Sequence, residues 1–97
     1  MRVLVSYDIS DNRIRRQVTK VCEAHGQRVQ RSVFECELTG KQLESLRERL
    51  DTARKGTGIE FEDSIRLYVI CEECIAKVSV LGYSPITAAS AKQVVIG

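Results

Sequence analysis

Apolar positions recur with strand-like spacing in four places along this chain and with helix-like spacing in two. Val3, Leu4 and Val5 read as a short buried strand over residues 2–8 that ends at Tyr7 and Asp8. Polar residues follow at once, and Ser10 or Asp11 is placed to cap a helix. In that helix Ile14, Val18, Val21, Cys22 and His25 share one face, while Arg16, Lys20 and Glu23 point the other way. Arg15 lies at the edge of the apolar stripe, and Gly26 ends the helix. Over residues 28–38, Ser32, Phe34, Cys36 and Leu38 alternate with Val33, Glu35 and Glu37, which predicts one long strand. Val29 is in step with Val33 rather than Phe34, so a bulge or bend is expected near Gln30–Ser32.

Thr39-Gly-Lys-Gln42 has the form of a capping box, and Leu43, Leu46, Leu50 and Ala53 mark a second amphipathic helix behind it. Lys55-Gly-Thr-Gly58 breaks that helix. Residues 64–70 predict a third strand, Cys71–Ala76 a turn or single helical turn, and Lys77–Leu81 a fourth strand stopped by Gly82. Pro85 opens a tail in which Val94, Val95 and Ile96 alone can pair as a strand. The order is read as β-α-β-β-α-β, an α+β chain with a ferredoxin-like sheet and both helices on one face. Residues 1–82 are the domain and 83–97 the tail. The uncovered sheet face must meet solvent or a partner. Phe, Tyr and Val left over in the strands point to a second copy there, with the tail available to add a strand to that copy's sheet edge.

Ninety-seven residues make one domain with a modest core, the size at which oligomerisation often helps. The net charge is only +2, but its distribution is uneven. Residues 1–34 carry seven Arg/Lys against three Asp/Glu, and residues 35–63 carry eight acids against five bases. That split suggests one surface for phosphates and another for something else, though solvated helix faces would look the same. No leader peptide is recognisable, and no apolar run approaches the roughly 20 residues of a membrane span. The protein is expected to be soluble and cytoplasmic, away from any membrane, with its four cysteines reduced.

Asp8 is the first candidate for chemistry. Asp is a poor strand former and costly to bury unpaired, so packing does not explain an acid at the exit of a buried strand. Facing Arg13, Arg15 and Arg16, it can hold a divalent cation against a phosphate. One carboxylate is a thin magnesium site, and a two-fold dimer would bring a second Asp8 to it. Capping of the following turn is the competing role, and the residues leave both open. Arg13, Arg15, Arg16, Arg28 and Arg31 suit phosphate through their forked donors. Singly each reads as a surface charge; as a cluster with Asp8 they read as a nucleic-acid contact.

Cys71-Glu-Glu-Cys74 is a lone pair where zinc needs four ligands, and it precedes too little helix for a thioredoxin-type motif, so it reads as structural or incidental. His25 reads as a core-edge residue, and Phe34 and Tyr68 as core rather than stacking platforms. The sequence holds no P-loop, no Gly-rich dinucleotide turn and no Ser-His-Asp set with usable spacing.

Several segments together resemble one family. Val5-Ser-Tyr-Asp-Ile-Ser-Asp11, the Arg-bearing helix, Arg28-Val-Gln-Arg-Ser-Val-Phe-Glu35 and Asp63-Ser-Ile-Arg-Leu-Tyr68, in this order and spacing, resemble the Cas-two family of CRISPR-associated proteins. The resemblance runs from about residue 2 to Gly82. It implies a ferredoxin-like fold and a symmetric homodimer. It implies that Asp8, paired with its copy, binds Mg²⁺ for endonuclease cleavage of RNA, or of double-stranded DNA in some members. Tyr7, Arg15, Arg28 and Phe34 match positions tied to that activity. It also implies a place in spacer acquisition, bridging dimers of an integrase partner and holding the new DNA. Arg31 departs from the pattern, since many members carry Tyr or another residue there, and it adds positive charge beside the site. Two other readings stand beside the nuclease: a non-catalytic DNA scaffold between integrase dimers, and a toxin-like ribonuclease outside CRISPR.

Overall fold

Alternation along the first strand sorts its side chains onto two faces. β1 (Arg2–Asp8) turns Val3, Val5 and Tyr7 into the core, leaves Leu4 and Ser6 half-buried on the other side, and exposes Asp8 at its end. This is seen in a computed structural model that describes residues 1–55, 63–82 and 94–96. β1 is central. β3 (Val33–Glu37) runs antiparallel on one side, with Phe34 opposite Val5, and β4 (Ser64–Ile70) antiparallel on the other, with Leu67 opposite Val5. β2 (Gln27–Gln30) pairs with the outer edge of β3, so the sheet order is β2-β3-β1-β4. With α1 (Asn12–Glu23) and α2 (Gly40–Arg54), the element order through β4 is β-α-β-β-α-β, the ferredoxin-like arrangement expected, though it arises from the division of 28–38 into two strands and not from a strand over 77–81.

Both helices lay their apolar stripes on the same sheet face. Ile14, Val18 and Cys22 of α1 and Leu43, Leu46, Leu50 and Ala53 of α2 are buried in one cluster with Val3, Val5, Tyr7, Phe34 and Cys36. Asp11, not Ser10, caps α1, accepting bonds from the N–H groups of Arg13 and Ile14. The α2 capping box is complete: Gln42 N–H donates to Thr39 Oγ1 at 3.2 Å, and Thr39 N–H to Gln42 Oε1 at 2.8 Å.

Two strand expectations are corrected. The stretch 28–38 is not one bent strand but two antiparallel ones, reversed at Arg31–Ser32, with Arg28 opposite Phe34 and Gln30 opposite Val33. The out-of-step Val29 marks the register shift between Arg28 and Gln30. Alternation cannot reveal a reversal, because both arms alternate. The turn gives no glycine or asparagine signal either, since no non-glycine residue described takes a positive φ. Lys77–Leu81 is not a fourth strand of the sheet. Its strand, β5 (Ser79–Leu81), lies outside the sheet and pairs in parallel with β6 (Val94–Ile96), the tail segment read as able to pair. Between β4 and β5, α3 (Glu72–Ile75) is the single turn expected.

Gly26 is fixed by space. A Cβ there would stand 2.5 Å from Cys36 Sγ and closer still to the Glu35 carbonyl oxygen, so the α1–β2 link crosses β3 where only a glycine fits. Gly26→Ala is expected to push β3 away and destabilise the protein by about 1–3 kcal/mol, read as a lower midpoint in urea unfolding. An unchanged midpoint would mean that the link is not tightly packed.

The sheet face opposite the helices keeps Leu4, Val33, Tyr68 and Ile70 together around the Arg2–Glu35 ion pair at 3.0 Å. Tyr68, read from sequence as core, is therefore 46 % exposed: it stands opposite Leu4, on the face no helix covers.

Candidate nucleic-acid interface

Where β1 ends, α1 and the β2–β3 turn diverge and leave a cleft of about 590 Å³. Its walls carry five cations, Arg15, Arg16, Lys20, Arg28 and Arg31, against two acids, Asp8 and Glu23. Five of the seven basic residues in the first third of the chain are thus folded into one place. Asp8 owes its position to strand phase. It follows Leu4 and Ser6 on the open side of the sheet, opposite Ser64, and reaches the cleft rim as the strand stops.

α1 supplies one wall. Arg16 and Lys20, four residues apart, lie one above the other on its exposed side. Arg15 turns back to the loop it follows. Its Nη1 donates to the Ile9 carbonyl at 3.0 Å, and its Nη2 to Asn12 Oδ1. Arg15 therefore braces the link directly behind Asp8 while lining the cleft.

The hairpin supplies the other wall, over a layered floor. The Arg28 guanidinium carbon lies 5.3 Å from the centre of the Phe34 ring, and Phe34 stacks on Tyr7 with centroids 6.4 Å apart and planes 20° from parallel. The Tyr7 hydroxyl shares a 2.6 Å hydrogen bond with Thr19 Oγ1 on α1. Phe34 is fully enclosed and Tyr7 nearly so. These rings act through the side chains they support: Phe34 gives Arg28 a π face, and Tyr7 ties that face to α1.

The structure therefore gathers Tyr7, Asp8, Arg15, Arg16, Arg28 and Arg31 around the cleft, with Phe34 beneath. Arg13 is not among the lining residues; it sits in the first turn of α1, exposed, with its N–H on the Asp11 cap. Sequence reasoning passed over Lys20, which looked like a solvated helix position, and Thr19 and Ser32. It also gave no role to Asp63. Both Asp63 oxygens accept from the Ser10 N–H at 3.2 Å, and Oδ1 accepts from the Ser10 hydroxyl at 3.0 Å. That clamp fixes the chain two residues after Asp8 to the start of β4. Asp63→Ala is expected to speed hydrogen exchange at the Ser10 amide by about tenfold, the worth of a hydrogen bond to a charged group. Unchanged exchange would show that Arg15 alone holds the loop.

Asp8 offers a hard, water-accessible oxygen donor of the kind Mg²⁺ takes in preference to soft metals. Among the described residues no three His, Cys, Asp or Glu side chains gather into a metal site. The donor type fits magnesium, and one carboxylate is a thin ligand set for it. No helix among the described residues is long and apolar enough to cross a membrane.

Comparison with known proteins finds relatives over most of the chain. The family model described as CRISPR associated protein Cas2 matches residues 1–78. The chain is 38% identical over 85 residues to the CRISPR-associated endoribonuclease Cas2 1 of Chloroflexus aurantiacus, covering 88% of each protein. It is 37% identical to the CRISPR-associated endonuclease Cas2 of Halalkalibacterium halodurans, over 88% of this chain and 90% of that one. Among solved structures, Streptococcus pyogenes Cas2 superposes with a TM-score of 0.67 at 36% identity, covering 84% of this chain and all of that one. A Thermus thermophilus protein, TT1823, gives 0.70 at 34% identity over 88% of this chain and 94% of that one.

Proposed function

The chain belongs to the Cas2 family of CRISPR-associated proteins, and from that premise we propose that it is a Mg²⁺-dependent endonuclease acting on RNA or double-stranded DNA as a homodimer in spacer acquisition. The observation that carries the proposal is the Asp8 carboxylate, at the strand exit on the rim of a cleft with five cations. Relatives named as endoribonuclease and endonuclease support nuclease chemistry in general.

The residues divide the work by reach. Arg16, Lys20, Arg28 and Arg31 hold the phosphate backbone without reading bases. Arg28, fixed over Phe34, steadies the charge that builds on the phosphate as the bond breaks. Arg15 and Asp63 keep the Asp8 loop in register. Asp8 and its symmetry mate hold the metal. When bound, Mg²⁺ supplies Lewis acidity toward the phosphate oxygen and acidifies a water.

The second copy has a surface to meet. Leu4, Val33, Tyr68 and Ile70 share the sheet face that carries Asp8 at its end, with Arg2, Glu35 and Arg66 between them, so a two-fold contact there would bring two Asp8 side chains toward one another. The acidic stretch 35–63 and the tail are the parts left to meet an integrase partner. The place of action is the cytoplasm.

The test is incubation of purified protein with single-stranded RNA and with duplex DNA, in Mg²⁺ and in EDTA. Cleavage in Mg²⁺ alone is the expected result, and the two rates rank the substrates. A second reading makes the cleft a track for duplex DNA with no chemistry, and the excess of cations over acids favours it. Tight, salt-sensitive binding that is the same in EDTA, without cleavage in either buffer, would select that scaffold role.

A further inference from the structure

Four cysteines fall into two kinds. Cys22 and Cys36 lie in the core, 0% and 1% exposed, and burial pushes the Cys22 thiol up to about 12 and raises Cys36 as well. Such thiols carry almost no thiolate near neutral pH and present no sulfur to solvent. Cys71 and Cys74 are both exposed. Cys71 is the residue that enters α3, with φ −71° and ψ 161°, and Cys74 is three positions on, so one helical turn carries both on one side. Neighbours three positions apart on a helical turn have Cβ atoms about 5–6 Å apart, which brings the two thiols within reach of one another. Interaction between the two thiols holds Cys71 below its ordinary value and raises Cys74. Cys71 also lines an open groove of about 680 Å³ with Met1, Leu38, Val69, Ile70 and Ile75, at the end of the sheet away from Asp8.

The spacing alone reads as incidental. The shared turn, the exposure of both thiols and the groove beside Cys71 change that. We propose that Cys71 and Cys74 form a thiol–disulfide exchange site, a reversible redox couple on the turn that leaves the sheet, separate from the basic cleft. Its co-reactant is a small disulfide of the oxidised-glutathione class.

The exchange balances in two steps. The Cys71 thiolate attacks one sulfur of the incoming disulfide, a Cys71–S–S–R bond forms, and the first RS⁻ leaves. Cys74 gives up its proton to the departing thiolate and attacks the Cys71 sulfur. The Cys71–Cys74 bond forms, the mixed disulfide breaks, and the second RS⁻ leaves to take a proton from solvent. The protein dithiol is oxidised by two electrons, and one disulfide is reduced to two thiols. An exposed disulfide held within one helical turn is of the labile kind that ordinary cellular dithiols reverse.

The experiment treats the full chain, freed of reductant, with excess oxidised glutathione, then blocks remaining thiols and measures intact and peptide masses. The expected product has lost two hydrogens, with the link between Cys71 and Cys74, and dithiothreitol restores it. Cys22 and Cys36 stay reduced in the native protein as internal controls. Cys74→Ser should stop halfway and keep one glutathionyl group on Cys71, while Cys71→Ser should react far more slowly. Both positions are exposed, so neither variant threatens the fold. A wild-type protein that fails to react, or that holds glutathione on Cys71 without closing the link, overturns the proposal. So does a Cys71→Ser variant that reacts as fast as wild type.

Discussion

Asp8→Ala is expected to slow metal-dependent cleavage on the order of 10³-fold and to leave the fold standing. The carboxylate lies at the surface at the end of β1, so its removal opens no cavity, and stability should move by less than about 0.5 kcal/mol. The chemistry has no such reserve. Asp8 is the one acid that strand phase delivers to the cleft rim from β1, and Glu23, the other acid there, sits on α1. In the proposed mechanism, loss of the metal would remove several kcal/mol of charge stabilisation, on the order of 10³ in kcat. The check is single-turnover cleavage by wild type and Asp8→Ala in Mg²⁺, with a urea unfolding curve for each. A variant that cuts as wild type does, with its fold intact, would remove Asp8 from the mechanism.

Phe34→Ala should have the largest effect on stability, about 3–5 kcal/mol, because it empties the middle of the core. That is a large part of the 5–15 kcal/mol by which domains are usually stable. The same ring is the platform for Arg28 and the neighbour of Tyr7, so the damage reaches the cleft through the floor. Phe34→Leu separates the two effects. It keeps apolar volume and removes the π face, so the protein should fold and bind nucleic acid about two- to fivefold more weakly, the worth of one exposed cation–π contact. Unfolding midpoints and binding isotherms for both variants test this. Full affinity in Phe34→Leu would show that the ring does not position Arg28.

Local signals carried much of this architecture. Period and capping chemistry placed α1 through Ile14, Val18 and Cys22, and placed α2 through Thr39, Gln42 and the Leu43–Leu46–Leu50 stripe. The Asp8 candidate rested on an acid where a buried strand should have none. What stayed hidden depends on distance or on geometry without a residue signature. The Arg31–Ser32 reversal uses no positive φ and hence no telltale glycine. Asp63 reaches Ser10 across 53 positions, and nothing in either neighbourhood announces the other. Lys20 looked like any solvated lysine until the hairpin was seen to face it across the cleft. Phe34 was matched to activity by resemblance, and the structure shows it enclosed, working beneath Arg28. Tyr68 follows the same alternation as its neighbours, and only the one-sided cover of the sheet exposes it.

Nucleic-acid phosphates are proposed to sit in the basic cleft beside Asp8. The most direct measurement is the salt dependence of duplex DNA binding by wild type, an Arg28→Ala/Arg31→Ala double variant, and Lys41→Ala. Lys41 lies in the first turn of α2, beyond the opposite end of β3, so its variant matches for charge type away from the cleft. If the cleft holds the phosphates, the slope of log K against log salt concentration falls by about two in the double variant, one for each phosphate left without its arginine, and is unchanged in Lys41→Ala. Equal slopes in wild type and the double variant would contradict that claim and place the bound nucleic acid on another surface.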